Sequence, residues 1–169
     1  DSTLSAVRLA DRFSRVHLLT YETGFGHFNM RRSRQRFEEL KRRVGDRFEY
    51  RCIDVRKEFA HFVVDRLRRD YREYGSGFVM CLGCKTLMHA RTASYALEAG
   101  IGSCADGASG ATGEMVEQML VSISILRWYY EDKGLEYLLP VYDDVREASI
   151  RELNHMSFRM GTRILDRHL

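Results

Sequence analysis

Two thiols three residues apart, in Cys81-Leu-Gly-Cys84, are the side chains whose type and spacing most invite chemistry. The stretch "CLGCKTLMHARTASYALEAG" carries helical periodicity and a natural stop at Gly100. Residues i and i+3 of a helix share a face, and the positive end of the helix dipole stabilises a thiolate, so both thiols are expected to have lowered pKa values. Such a pair can carry persulfide, donate sulfur or ligate metal. A lone CxxC is half a site for zinc or an iron–sulfur cluster. Cys104 is the expected third ligand beside Cys81 and Cys84, Cys52 is the other candidate, and His89 lies on the same helix. The plain alternative is a structural pair buried beneath Leu87 and Met88. Four cysteines in 169 residues are too few for a disulfide framework. Cys52 and Cys104 each lie in a strand-like stretch and read as buried thiols.

Asp106-Gly107 closes the stretch "IGSCADG" where a strand meets a loop, a position suited to Mg²⁺ or a ribose, or to a simple turn. Asp1-Ser2-Thr3 stands ahead of an apolar ladder and reads as a helix N-cap. His27, His61, His89 and His155 each read as core or surface histidines. "RRSRQRFEELKRR" sets seven basic side chains against Glu38 and Glu39. Arginine forks suit phosphate and RNA backbone, but a solvated helix face is the simpler reading of the run.

The elements that must position these residues follow from periodicity. "STLSAVRLADRF" is helical, "RVHLLTY" is a strand, and Phe37, Leu40 and Val44 mark a second helix. "RFEYRCIDV" alternates as a strand, and "EFAHFVVDRLRRDY" reads as one helix. The cysteine helix, the strand "IGSCAD", a long helix over "EMVEQMLVSISILRWYYEDKG", the strand "LEYLLP" and a helix over "DDVREASIREL" complete the order. Strands alternating with helices predict an α/β fold: four strands in one mainly parallel sheet with helices on both faces, and ligands at the carboxyl ends of the strands. The loops after Tyr21, Asp54, Cys104 and Leu139 then share one rim. No repeat, low-complexity tract or linker divides residues 1–169, which are expected to form a single domain.

Composition agrees with a globular chain: 44% hydrophobic, 30% charged, net charge +3, with only four lysines among 27 basic residues. No apolar run reaches the length of a membrane span and no cleavable signal is visible, so the expected location is the cytoplasm, away from membranes.

An α/β fold that begins with a helix lacks a strand to aim that helix at the ligand rim. With a strand ending in Ser-Gly-Gly-Xaa ahead of it, the opening would read SGGxDST, the phosphate loop of the PP-loop ATP pyrophosphatases. The chain resembles that superfamily in order along nearly its whole length. "LLTYETGFGHFNMRRSRQRFEEL" is similar to the second strand and helix of the ExsB-like cyano-deazaguanine synthases. "CLGCKTLMHARTASYALEAG" with "SCADGAS" resembles the CxxCK helix and Asp-Gly loop of sacrificial sulfur transferases and the CxxC helix of tRNA thiouridine synthetases. "LLPVYDDVREASIREL" looks like the proline-containing strand and following helix shared by these branches.

The resemblance implies the Rossmann-like PP-loop fold, with its first central strand and phosphate-loop glycines missing from a chain truncated at its N-terminus. That absence is expected to leave a gap between the strands near Tyr21 and Cys104. It also implies ATP and Mg²⁺ as cofactors, and cleavage of ATP to AMP and pyrophosphate as a substrate oxygen is adenylated for sulfur transfer or thiolation. Asp1, Ser2 and Thr3 would be the remnant of the pyrophosphate cradle. Lys85 would be a phosphate partner, His27 would lie near ATP, Asp106 and Gly107 would hold Mg²⁺ or ribose, and Cys81 and Cys84 would be catalytic. The implied partners are an acceptor substrate, a tRNA or sulfur carrier, and a second copy of the chain. An ExsB-like ligase forming a C–N bond, or a nucleotide-binding module without catalysis, are the alternatives.

Overall fold

The computed structural model describes residues 1–25 and 30–158. His27, and the tail "MGTRILDRHL", fall outside the described residues. In chain order the elements are α1 (Ser2–Arg12), β1 (Val16–Glu22), α2 (Met30–Val44), β2 (Phe48–Asp54), α3 (Arg56–Phe59), α4 (Leu67–Tyr74), α5 (Val79–Glu98), β3 (Ser103–Ala105), α6 (Leu120–Asp132), β4 (Glu136–Leu138) and α7 (Arg146–His155). The alternation of strand and helix is the expected one, and the protein is α/β with short parallel strands.

The strands do not make the single sheet that was expected. β1 pairs with β2 in parallel, Val16 opposite Phe48 through Glu22 opposite Asp54, and β3 pairs with β4 in parallel, Ser103 opposite Glu136 through Ala105 opposite Leu138. These are two separate two-stranded sheets. β1 and β3 each keep one edge without a strand partner among the described residues, and a slot lies between them.

Each sheet is covered on two faces, and the alternation of its side chains shows how. Val16 and Leu18 of β1 join a core cluster with Leu4, Val7 and Ala10 of α1, Leu40 of α2 and Leu153 of α7. The intervening residues turn the other way: His17 Nδ1 lies 2.7 Å from the Tyr95 hydroxyl, and the Tyr21 hydroxyl 2.7 Å from Thr92 Oγ1, both partners on α5. On β4, Leu138 packs against the first cluster. Tyr137 joins a second, with Ala93 and Ala96 of α5, Cys104 of β3 and Ile123, Leu126 and Tyr130 of α6. The period of two thus sorts α1, α2 and α7 to one side and α5 and α6 to the other.

β3 and β4 are launched by the same turn. Past the C-terminus of α5, Gly100 takes φ +66° while its N–H reaches Leu97 O at 3.3 Å and Ile101 N–H reaches Ala96 O at 2.8 Å, the paired bonds of a Schellman cap. Gly134 does the same after α6. Two helices stopped identically deliver two strands side by side.

Two expected helices are shorter than their apolar patterns. The run from Glu58 to Tyr71 is broken between α3 and α4 by a π-turn over Ala60–Val64, closed by Asp65 N–H to Ala60 O at 2.8 Å. The wider turn keeps Phe59 and Val63 buried while Phe62 points to solvent. The run from Glu114 onwards is spent on 3₁₀ turns at Gly110–Thr112 and Val116–Gln118 before α6 begins at Leu120. Ser109 N–H and Thr112 Oγ1 both donate to Gln118 Oε1 at 2.9 Å, which folds this segment back on itself. Among the described residues no helix is long and apolar enough to cross a membrane.

Candidate functional site

The slot between the two strand pairs is a cavity of about 1230 Å³. β1 and β3 form its sides, α1 and α2 close one face and α5 the other. Ser2 and Thr3, Cys81, Cys84 and Lys85, and Cys104, Asp106 and Gly107 all line it. Sequence positions more than a hundred residues apart are thereby gathered at one place. Asp1 is exposed and stands outside the lining, next to it in the chain.

Asp1 is the N-cap of α1, but its side chain makes no capping hydrogen bond. Its backbone carbonyl accepts from Ser5 N–H at 2.9 Å as the first turn of the helix. The expected side-chain cap is therefore absent. Arg146 and Arg36 lie within charge reach of this end of α1. Those two arginines come from the first turn of α7 and from α2, and they make this end of α1 electropositive. The α1 N-terminus abuts the end of β3: a Cβ added to Gly107 would lie 2.6 Å from Ser2 Cα. Glycine is the residue that permits this approach. Gly107→Ala must push α1 off β3, and is expected to cost about 1–3 kcal/mol in urea-melt stability. An unchanged midpoint would mean the contact yields freely.

Asp106 organises the floor. Its Oδ2 accepts from Lys85 Nζ at 2.8 Å, Tyr137 OH at 3.1 Å and His89 Nε2 at 3.2 Å. An ionised carboxylate only accepts, so Nε2 carries the ring proton. The other ring nitrogen, Nδ1, lies 2.8 Å from Tyr130 OH. Burial by itself would raise the Asp106 pKa. The His89 hydrogen bond and the Lys85 charge outweigh it and hold the carboxyl well below the usual carboxylate range. Desolvation drives the Tyr130 and Tyr137 hydroxyls far up, and the Asp106 charge adds to both. All three contacts fall on Oδ2. Asp106 N–H donates to Leu138 O at 3.1 Å and its carbonyl accepts from Ser5 Oγ at 3.2 Å, so the backbone is held from β4 and α1 together.

The Cys84 thiol behaves differently from the expectation. Cys81 and Cys84 are half-buried on the slot face of α5, but the Cys84 thiol is pushed up, by burial first and then by Cys81 and Glu117. Cys84 is the sixth residue of α5, beyond the first turn in which a helix dipole acts, so desolvation wins. Cys104 is buried in the second core cluster and its thiol is raised to about 11 by desolvation. Cys52, expected to be buried, is exposed, because the outward face of β2 carries it. Among the described residues no group of three or more His, Cys, Asp or Glu is placed to hold a metal ion. Cys104 is packed into the second core cluster, and Cys81, Cys84 and Cys104 do not form such a group.

Sequence reading missed the His89–Tyr130–Tyr137 support of Asp106. The available signal was Lys85 and His89 at i and i+4 on one helix face, aimed as a pair. It also missed which arginines of α2 face inward. Arg34, Arg36 and Arg43 pair with Glu38 and Glu39 along the helix, and of these Arg36, with Arg32 and Ser33, also lines the slot. A scan against models of known protein families finds none that matches the chain, and a search of curated proteins finds no match.

Proposed function

We propose that the chain is an adenylating enzyme of the PP-loop ATP pyrophosphatase type, which splits ATP between its α and β phosphates and leaves AMP on an acceptor oxygen. The observation that carries the reading is the convergence of the α1 N-terminus, Lys85 and Asp106 at one end of the slot, beside the carboxyl end of β3. Free amides and a positive dipole at a helix start suit pyrophosphate, and Arg36 and Arg146 add charge of the same sign. In the proposed fold the two strand pairs are halves of one parallel sheet, with a strand leading into Asp1 in the slot between β1 and β3. The slot between β1 and β3 is the feature of the structure that supports this reading of the fold.

Each group has a role in that reaction. The acceptor oxygen attacks the α phosphorus, the bond to the α–β bridging oxygen breaks, and its electron pair leaves with pyrophosphate. The Ser2 and Thr3 hydroxyls and the first α1 amides hold the leaving group, and Lys85 offsets its growing charge. Asp106, held through Oδ2, aims the Lys85 ammonium and leaves Oδ1 for Mg²⁺, which prefers one or two carboxylates plus substrate phosphates. Mg²⁺ supplies charge neutralisation on the phosphates when bound. Cys81 and Cys84 line the same slot; in the sulfur-transferring form a persulfide loaded on one of them by a persulfide donor would attack the adenylated carbon and expel AMP, and the other thiol would then cleave the S–S bond, leaving the two cysteines as a disulfide for an external thiol to reduce.

A second reading, in which the activated oxygen is displaced by ammonia to form a C–N bond, is favoured by one observation. Burial pushes the Cys84 thiol up, which disfavours the thiolate that sulfur transfer would use. Calorimetric titration with Mg-ATP tests the shared part: binding is expected, and Lys85→Ala should weaken it tenfold or more. Equal affinity in the variant would remove Lys85 from the site. Turnover of Cys84→Ser then separates the readings, since loss supports sulfur transfer and full retention supports the ammonia-using form.

A further inference from the structure

Glu117 is a slot residue that the adenylation chemistry leaves unused. It lines the cavity together with Cys81, Cys84 and Lys85. Its Oε2 is buried without a hydrogen-bond partner, and among the described residues no hydrogen bond or ion pair reaches its carboxylate. A carboxylate oxygen shut off from water with nothing to accept from is costly, so the position suits a donor brought from outside the chain. The side chain is not loose. Glu117 is the middle residue of the 3₁₀ turn Val116–Gln118. Ser122 Oγ donates to Val116 O at 2.6 Å and Tyr142 OH donates to Gln118 O at 2.9 Å. The Gln118 side chain is itself held by Ser109 and Thr112, so the turn is anchored on both sides of Glu117.

The chemistry of the missing partner follows from the neighbours. Burial pushes the Cys84 thiol up, and Cys81 and then Glu117 add to the rise, which places the Glu117 charge within reach of Cys84. An anion at that point opposes a thiolate and favours a cation. The slot's own lysine is already engaged, Lys85 Nζ lying 2.8 Å from Asp106 Oδ2. Among the described residues no group of three or more His, Cys, Asp or Glu is placed to hold a metal, so the position does not suit a protein-held divalent ion. A singly charged cation that donates hydrogen bonds fits, and a protonated nitrogen is that group.

We propose that the Glu117 carboxylate binds the nitrogen nucleophile of the ammonia-using reaction in its protonated form, as ammonium or as the NH₃⁺ group of a primary amine. The inference rests on that second reading of the site. In the step it serves, one proton passes from the nitrogen to the carboxylate and the freed lone pair forms the C–N bond. The C–O bond to the adenylate breaks, its electron pair leaves on AMP, and the new cationic nitrogen loses its extra proton to water.

Alkylation of Cys84 by iodoacetamide, read by mass spectrometry on the whole chain at fixed pH and ionic strength without ATP, tests the proposal. Ammonium chloride is expected to speed it about threefold over sodium chloride, and saturably, because a cation on Glu117 offsets the negative charge beside the thiol. Tetramethylammonium, which donates no hydrogen bond, should have no such effect. Glu117→Gln, shown by circular dichroism to be folded, should be fast from the start and indifferent to ammonium. A response to ammonium alone assigns the site to the free ion, and an equal response to methylammonium assigns it to a primary amine. No acceleration beyond that of sodium or tetramethylammonium, or an ammonium response that persists in Glu117→Gln, overturns the proposal. A saturable response in a chain that does not cleave ATP would uphold the nitrogen site and count against adenylation, and cleavage of ATP without the response would do the reverse.

Discussion

Asp106→Ala is expected to lower stability by about 3–5 kcal/mol, the cost of leaving a buried cation without its partner. The Lys85 and Asp106 side chains are 14% and 22% exposed, so water cannot replace what is lost. For a chain of this length that is a fall in Tm of roughly 6–20 °C. The effect has a pH signature. A carboxyl whose folded pKa lies below its unfolded value contributes stability that is fully present above the unfolded value, about 4. That stability is lost as pH falls through the folded value. The urea-melt gap between the wild type and Asp106→Asn should therefore be constant from pH 7 to about pH 5 and shrink below about pH 4. A gap that does not close in acid would mean that the carboxylate charge is not what stabilises the floor of the slot.

The second large effect concerns the slot itself. Among the described residues β1 and β3 each keep one edge without a strand partner, on either side of a cavity of about 1230 Å³, and a strand between them would supply one. An apolar segment of about five residues followed by Ser-Gly-Gly-Ala, joined directly to Asp1, is expected to enter in parallel with β1 and β3 and raise stability by about 3 kcal/mol. That corresponds to roughly 6–12 °C in Tm. The same segment with proline at its centre cannot donate to both edges and should give little gain. Equal midpoints for the two fusions would mean that the slot does not take a strand.

Much of this architecture was legible because it rests on local chemistry. The period of α5, the glycine that stops it at Gly100, and the strand alternation of β1 and β2 are written within a few residues of one another, and each element lies where its pattern puts it. Ser2, Cys81, Lys85 and Asp106 line one slot, residues that the PP-loop resemblance, not helix–strand order, had singled out. What was not legible depends on distant partners. His89 meets Tyr130 forty-one residues away and Asp106 seventeen away, and no local pattern encodes that meeting. The thiols failed for a different reason: spacing placed Cys84 on the expected face, but its depth, not its helix, sets its pKa. The break at Ala60–Val64 was hidden because Phe59 and Val63 satisfy an ordinary i, i+4 pattern as well as a π-turn.

The central claim is that the electropositive α1 N-terminus, Lys85 and Asp106 together serve cleavage of ATP at its α phosphate. Separate incubations of the chain, carrying the strand-forming extension described above, with Mg²⁺ and ATP radiolabelled at the α or the γ phosphate test it most directly. Hydroxylamine as a small acceptor serves both. The account predicts label in AMP or an adenylated product from the first and in pyrophosphate from the second, with both lost in Lys85→Ala. Label in ADP and orthophosphate, or products unchanged in Lys85→Ala, would contradict it.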